Sequence, residues 1–197
     1  MTLLRIGAAA AVVLAAATTI PTAVSARSFD EVALTTDKQL ASYEAVYIAP
    51  VKAELNLDVR QIDRSGSGDR PISDRDIADK ISDFQRELER AFSRSFDLAD
   101  APGPGVLTIE ATLTDLASTR PTMAEYSRRV SLDFRSVYVG RAEASFVLSG
   151  DGEVLATLSD RYVGSFTDGR PRIATWDDAD YAFDSWARKL VKFVERN

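Results

Sequence analysis

The stretch from Val137 to Gly164, VYVGRAEASFVLSGDGEVLATLSDRYVG, constrains the fold more than any other. Tyr138, Gly140, Ala142, Ala144, Phe146 and Leu148 occupy alternate positions, with Arg141, Glu143, Ser145 and Ser149 between them. A period of two belongs to a strand with one buried face. On the return, Val154, Ala156, Leu158 and Tyr162 share one face, and Thr157, Ser159 and Arg161 share the other. Gly150-Asp151-Gly152 lies between them. Asp-Gly supplies the positive φ that a two-residue hairpin turn requires. The stretch therefore predicts an antiparallel hairpin in the middle of a sheet. Asp151 could touch a ligand at the loop tip, but the turn alone accounts for it.

The rest of the chain is read outward from this hairpin. YEAVYIAPV, residues 43–51, is apolar on both faces, as an interior strand is, and Pro50 ends or bulges it. From Val51 to Val59 apolar and polar residues alternate, either continuing that strand or forming another. Ser73 with Asp76 predicts a capping box. Ile77, Ile81, Phe84, Leu88, Ala91, Phe92 and Phe96 then recur at helical steps, with Asp79, Lys80, Asp83, Arg86, Glu87 and Arg90 on the solvated side. DAPGPG, residues 100–105, breaks regular structure. Leu107, Ile109, Ala111 and Leu113 alternate with Thr108, Glu110, Thr112 and Thr114, which is a strand pattern. Residues 117–129 read as a loop, and alternation resumes at Val130, so the first hairpin strand is expected to begin there. Residues 165–171 form a second turn-rich loop. Thr175 with Asp178 predicts another capping box. Trp176, Ala179, Phe183, Trp186, Ala187, Leu190 and Val194 then give a terminal helix, with both tryptophans docking it on the sheet.

The order is β-α-β-β-β-α. The first β-α-β unit needs a parallel crossover, and the last three strands can form an antiparallel meander. The expected fold is α+β: a mixed four- to five-stranded sheet with two amphipathic helices packed on one face. One domain is expected over 42–197, preceded by an N-terminal arm at 27–41.

Residues 1–26 predict a secretory signal peptide. Arg5 is the only charge there, an Ala-, Val- and Leu-rich run follows to Ile20, and Val24-Ser25-Ala26 supplies small residues for cleavage after Ala26. A retained anchor is the other reading, but the run is short and closed by Pro21. The expected location is the periplasm. The chain has no Cys, which removes both disulfides and lipidation at a Cys as a membrane anchor.

Composition limits the chemistry. With no His and no Cys, Ser-His-Asp and Cys-His catalysis, thiolate nucleophiles and His or Cys metal sites are excluded. No phosphate-binding glycine motif follows a strand. Asp63, Ser65, Ser67, Gly68, Asp69 and Asp74 fall at the ligand positions of a calcium loop, but Pro71 and the lack of an entering helix favour a solvated loop. Carboxylate catalysis is left, and it needs two positioned acids in one cleft, which no pattern supplies. We therefore expect no catalytic residues, no cofactor and no enzyme. The formal charge of -6, from 24 basic and 30 acidic residues, argues against nucleic acid as a partner. Arg120, Arg128, Arg129 and Arg135 cluster before the hairpin and form the one candidate partner surface. They could meet anionic lipid headgroups, as a peripheral membrane contact, or an acidic partner. The plainer reading is ordinary surface charge.

Val139-Gly140-Arg141-Ala142, the hairpin exit Gly152-Glu153-Val154 and the helix with Trp176 and Trp186, in that order and spacing, resemble a bacterial family catalogued as domain of unknown function 3313. The resemblance covers residues 40–194 loosely and 136–194 more closely. It implies an exported envelope protein, in a family with many lipoprotein-like members from which this chain departs by lacking the Cys. The family has no known activity and lends no catalytic residue. The element order also looks like that of small envelope-transport auxiliary domains, which is an analogy of fold alone. The expected role is that of an accessory domain that binds an envelope protein or a transport or assembly complex. The alternatives are a small-molecule binding module, which needs an apolar pocket between sheet and helices, and a carboxylate-dependent enzyme.

Overall fold

A computed structural model describes residues 29–35, 39–55, 72–127 and 137–197. The signal-peptide residues, the calcium-like loop from Asp63, and Arg128, Arg129, Val130 and Arg135 lie outside the described residues. The hairpin is central, as its alternation predicts. Strands β6 (Arg141–Gly150) and β7 (Glu153–Val163) pair antiparallel, with Phe146 opposite Leu158. Asp151 and Gly152 turn the chain with φ of 53° and 82°, the two left-handed residues of a tight hairpin. Strand β5 (Val106–Ala117) flanks β6 antiparallel, completing the meander.

The sheet is mixed and has seven strands, because short segments extend the expected set. Strand β2 (Ala45–Ile48) runs parallel to β5, with helix α1 (Asp74–Phe92) in the crossover. Strands β3 (Lys52–Ala53) and β4 (Asp97–Leu98) add two residues each, beside β5 and β2 respectively. The third addition, first in chain order, is β1 (Glu31–Leu34), which lies in what reads as an arm; it pairs antiparallel with β7 and closes that edge. Thus the arm belongs to the sheet. It ends in a 3₁₀ turn, Leu40–Ser42.

Helices α1 and α3 (Asp177–Arg196) pack on the same sheet face, since Phe84 and Trp186 both meet Phe146, at 6.1 Å and 6.2 Å between centroids. Phe84 stacks on Phe183 at 4.5 Å. Each such large side chain, fully buried, contributes roughly 1.5–3 kcal/mol. The capping box at Ser73 forms, with Asp76 N donating to Ser73 Oγ and Ser73 N donating to Asp76 Oδ2, both at 3.1 Å.

Three expectations need correcting. Val154 is exposed while Leu155 is fully buried, because the register slips between Leu148 and Ser149 and the extra residue reverses the strand's parity. A second bulge after Leu113 does the same in β5 and turns Leu116 inward. Lys80, read as solvated, is buried between the helices and bonds Asp180 at 2.7 Å. Burial alone would lower its pKa, but hydrogen bonds to Asp180 and Asp83 outweigh that and hold the ammonium above its ordinary value. The capping box at Thr175 does not form: the N-cap is Trp176, without a side-chain cap bond, and Asp178 has another task.

Candidate functional site

That task sits at the end of the sheet where β5 and β7 finish and α3 begins. Two glycines make it possible. Gly140 precedes β6 and Gly164 follows β7, and Gly164 N donates to Gly140 O at 2.9 Å. A Cβ on Gly164 would lie 2.3 Å from Asp178 Oδ2, and one on Gly140 would lie 2.8 Å from Asp178 Cβ. The missing side chains leave a slot that the Asp178 carboxylate fills. Asp178 is 1% exposed, and a carboxylate so buried must be paired and fully bonded. It accepts from Gly140 N at 3.0 Å, Arg172 Nε at 3.0 Å and Arg170 Nη2 at 3.2 Å. Its own backbone N–H donates to Thr119 Oγ1 at 3.1 Å.

The loop from β7 to α3 wraps around this carboxylate. Asp168 accepts from Arg172 Nη2 at 2.9 Å and from Arg170 N at 3.1 Å. The Arg172 bond first, and then the Arg170 amide, hold the Asp168 carboxyl below its usual range. In turn Asp178 and then Asp168 raise the Arg172 guanidinium above its ordinary value. Arg170 also lies over the Tyr181 ring at 3.7 Å, a cation–π contact, and bonds the Tyr162 hydroxyl. The adjoining segment, 118–126, is not the solvated loop its polarity suggests. Ser118, Thr119, Thr122 and Glu125 are buried, and a one-turn helix α2 (Met123–Tyr126) starts with its own capping box, Thr122 N donating to Glu125 Oε2 at 2.9 Å. Thr119 N donates to Thr175 O at 2.7 Å and ties the two loops together.

On this rigid base sit three large apolar side chains facing solvent: Met123 at 72%, Phe166 at 63% and Ile173 at 77% exposed. Asp177 Oδ2 fixes the backbone beneath Ile173, accepting from Ala174 N at 2.7 Å and from Ile173 N. A cleft of about 350 Å³ lies between Met123 and Ile173, with Arg120, Thr122 and Trp176 in its walls. The Arg172 guanidinium lies 5.9 Å from the Phe166 ring centre. Every carboxylate described in this network is bonded to a cation or a backbone amide.

Of the four arginines that the sequence singles out, Arg120 is described. Its Nε donates to Arg172 O at 2.8 Å, so its guanidinium clamps the loop from inside. Asp151, at the opposite end of the sheet, is a turn residue and a tie: it accepts from Gly105 N and from the Tyr43 hydroxyl, each at 3.2 Å. Among the described residues no group of three or more acidic side chains is placed to hold a metal ion, and no helix is long and apolar enough to cross a membrane. Sequence reading missed Asp178, Arg172 and the apolar triad. The available signal was the pair of glycines bracketing the hairpin.

Residues 22–190 match the family model described as "Protein of unknown function (DUF3313)". The chain matches no curated protein. Among solved structures it is similar to a PelC dodecamer from Paraburkholderia phytofirmans, at 12% identity over 81% of this chain and 97% of that one, with a TM-score of 0.41. It is also similar to protein XCC0632 from Xanthomonas campestris, described as a DUF330 protein, at 13% identity over 79% of this chain and 87% of that one, with a TM-score of 0.42. Both are likenesses of chain course at low identity.

Proposed function

This chain belongs to the DUF3313 family, and we propose that it acts as a non-enzymatic accessory domain that binds a partner protein in the bacterial periplasm. The observation that carries the reading is the loop end: Phe166 and Ile173 stand exposed on the loop that Arg172 ties to the buried Asp178, and Met123 stands exposed on the helix capped by Thr122 and Glu125. Large apolar groups on a preorganised base bind with little ordering cost, as partner-binding surfaces do. Export fits the sequence of residues 1–26, with cleavage after Ala26.

The packing favours this reading over a small-molecule module. Phe84, Phe92, Phe146, Phe183 and Trp186 fill the space between sheet and helices, where such a module needs a cavity. The carboxylate-enzyme reading needs acids in a shared cleft. Asp160, whose carboxyl is pushed up by burial against the pull of Lys189, points into the packing between β7 and α3 instead.

The test is affinity capture with cross-linking, using the mature chain as bait in its own cell envelope. Wild type should recover a discrete partner, and a Met123→Ser, Phe166→Ser, Ile173→Ser triple variant should lose it. The same background proteins recovered by both baits would refute the reading.

A further inference from the structure

We propose that the cleft between Met123 and Ile173 receives a lysine side chain from a basic segment of the partner protein, its aliphatic stem against the apolar walls and its ammonium at Asp76. The proposal rests on the partner-binding reading above and adds the chemistry of the segment that docks.

The cleft holds about 350 Å³, at the small end of ligand-binding clefts. Met123, Ile173 and Trp176 give it apolar and aromatic walls. The polar groups select the occupant. Asp76 lines the cleft from the first turn of α1. Its Oδ2 takes both bonds of the cap, from Ser73 N at 3.1 Å and from Ser73 Oγ at 2.7 Å, and its Oδ1 has no partner among the described residues. Asp177, beneath Ile173, is used in the same way: Oδ2 accepts from Ile173 N and Ala174 N, and Oδ1 is unbonded among the described residues. Asp74, in the same first turn as Asp76, is exposed.

Helix N-termini favour carboxylates, which accounts for the position of these three aspartates. It does not neutralise them, and no cation among the described residues is paired with any of the three. The cations of the loop end are spent elsewhere. Arg170 and Arg172 are held by Asp168 and Asp178. Arg75 lies 4.0 Å from Asp79. Arg120, the one guanidinium in the cleft wall, donates through Nε and Nη2 to Arg172 O. An apolar slot is thus rimmed by an excess of negative charge.

A purely apolar side chain would fill the slot and strip water from Asp76 Oδ1 without replacing it. An acidic one would meet like charge. Lysine answers both features, because its four-carbon stem covers apolar surface while its head stays polar. The Trp176 indole adds attraction for an ammonium near its face. Lysine fits better than arginine because a guanidinium fork seeks both oxygens of a carboxylate, and Asp76 has one committed to its cap.

The probes are acetyl-Gly-Leu-Lys-Leu-Gly-amide and the same peptide with norleucine or glutamate in place of the lysine. Binding to the mature chain is followed by NMR at the Met123 methyl group and the Trp176 indole N–H. The lysine peptide should shift both signals and bind at least threefold more tightly than the norleucine peptide, and raising the salt to about 1 M should shrink that advantage. Asp76→Asn keeps an acceptor for the Ser73 cap and removes the charge, so it should erase the advantage and leave the norleucine affinity unchanged. Asp177→Asn, which leaves the α1 cap untouched, should reduce it. Equal binding of the lysine and norleucine peptides, or an advantage that both variants retain, overturns the lysine assignment and leaves the apolar docking surface standing. Tightest binding by the glutamate peptide, or no shift with any peptide, overturns it as well. The docking surface itself fails only if the triple serine variant still captures the partner, an outcome these peptides do not affect.

Discussion

Replacing Gly164 by alanine should destabilise this protein through Asp178, and the loss should vanish in a chain that lacks the Asp178 carboxylate. The new methyl carbon would stand 2.3 Å from Asp178 Oδ2 and 2.6 Å from Cγ. Gly164 is not in the left-handed region, so no backbone strain adds to the effect. The main chain cannot yield easily, because Gly164 N is bonded to Gly140 O, and Gly140 N to the carboxylate itself. The carboxylate must move instead, giving up Gly140 N, Arg172 and Arg170. Removing one partner of a buried ion pair costs about 3–5 kcal/mol. Arg172 retains Asp168 at 2.9 Å, so the low end, about 3 kcal/mol, applies here. Asp178→Ala removes the same bonds and should lose a similar amount. The double variant has room for the methyl group, so its loss should also stay near 3 kcal/mol rather than about 6, a coupling of about 3 kcal/mol. For a domain of this size each kcal/mol shifts Tm by roughly 2–4 °C, so each single variant should lose roughly 6–12 °C. Urea unfolding followed by tryptophan fluorescence measures the cycle. Additive losses would refute the claim that the glycines exist to house Asp178.

Three further outcomes can be checked on the same purified protein. Phe29→Ala should lose about 3–5 kcal/mol in urea unfolding, since its ring is a core side chain rather than part of a loose arm. Gly152→Ala should lose about 1–2 kcal/mol, because φ there is 82° and alanine resists the left-handed region. Burial first, with Lys189 opposing it, raises the Asp160 carboxyl above its ordinary value of 3.8. A raised carboxyl binds its proton earlier in the folded state. Its contribution is therefore full below the unfolded pKa and is lost as pH rises through the folded one. Wild type should accordingly gain on Asp160→Asn as pH falls from 7 towards 4, and a wild-type urea midpoint that falls relative to the variant's over that range would count against the assignment.

The hairpin, the two helices and the parallel crossover are legible in the sequence because each carries a strong local period. Residues Phe29–Leu34 are not, since a four-residue edge strand has too few positions to declare alternation, and its meaning lies in the β7 register. The bulge at Leu155 shows the limit of period reading: one inserted residue exchanged the faces of Val154 and Leu155, and no turn residue marks it. The site was hidden for a different reason. Asp168, Arg170 and Arg172 look like solvated loop charges until Asp178 comes under them from a separate element, and Thr175-x-x-Asp178 imitates a capping box that never forms. Exposed Met123 and Ile173 are single apolar residues in polar loops, and bonds from Thr119 to Thr175 and from Arg120 to Arg172 bring their loops together.

The central claim is that this loop end, held by Asp178, is where the partner binds. A photo-cross-linking residue placed at Ile173 in living cells tests it most directly, with Thr157 on the exposed face of β7 as the control position. The account predicts a discrete cross-linked product from Ile173, none from Thr157, and loss of the Ile173 product when Asp178→Asn loosens the loop. Equal labelling from both positions, or a product indifferent to Asp178, would contradict it.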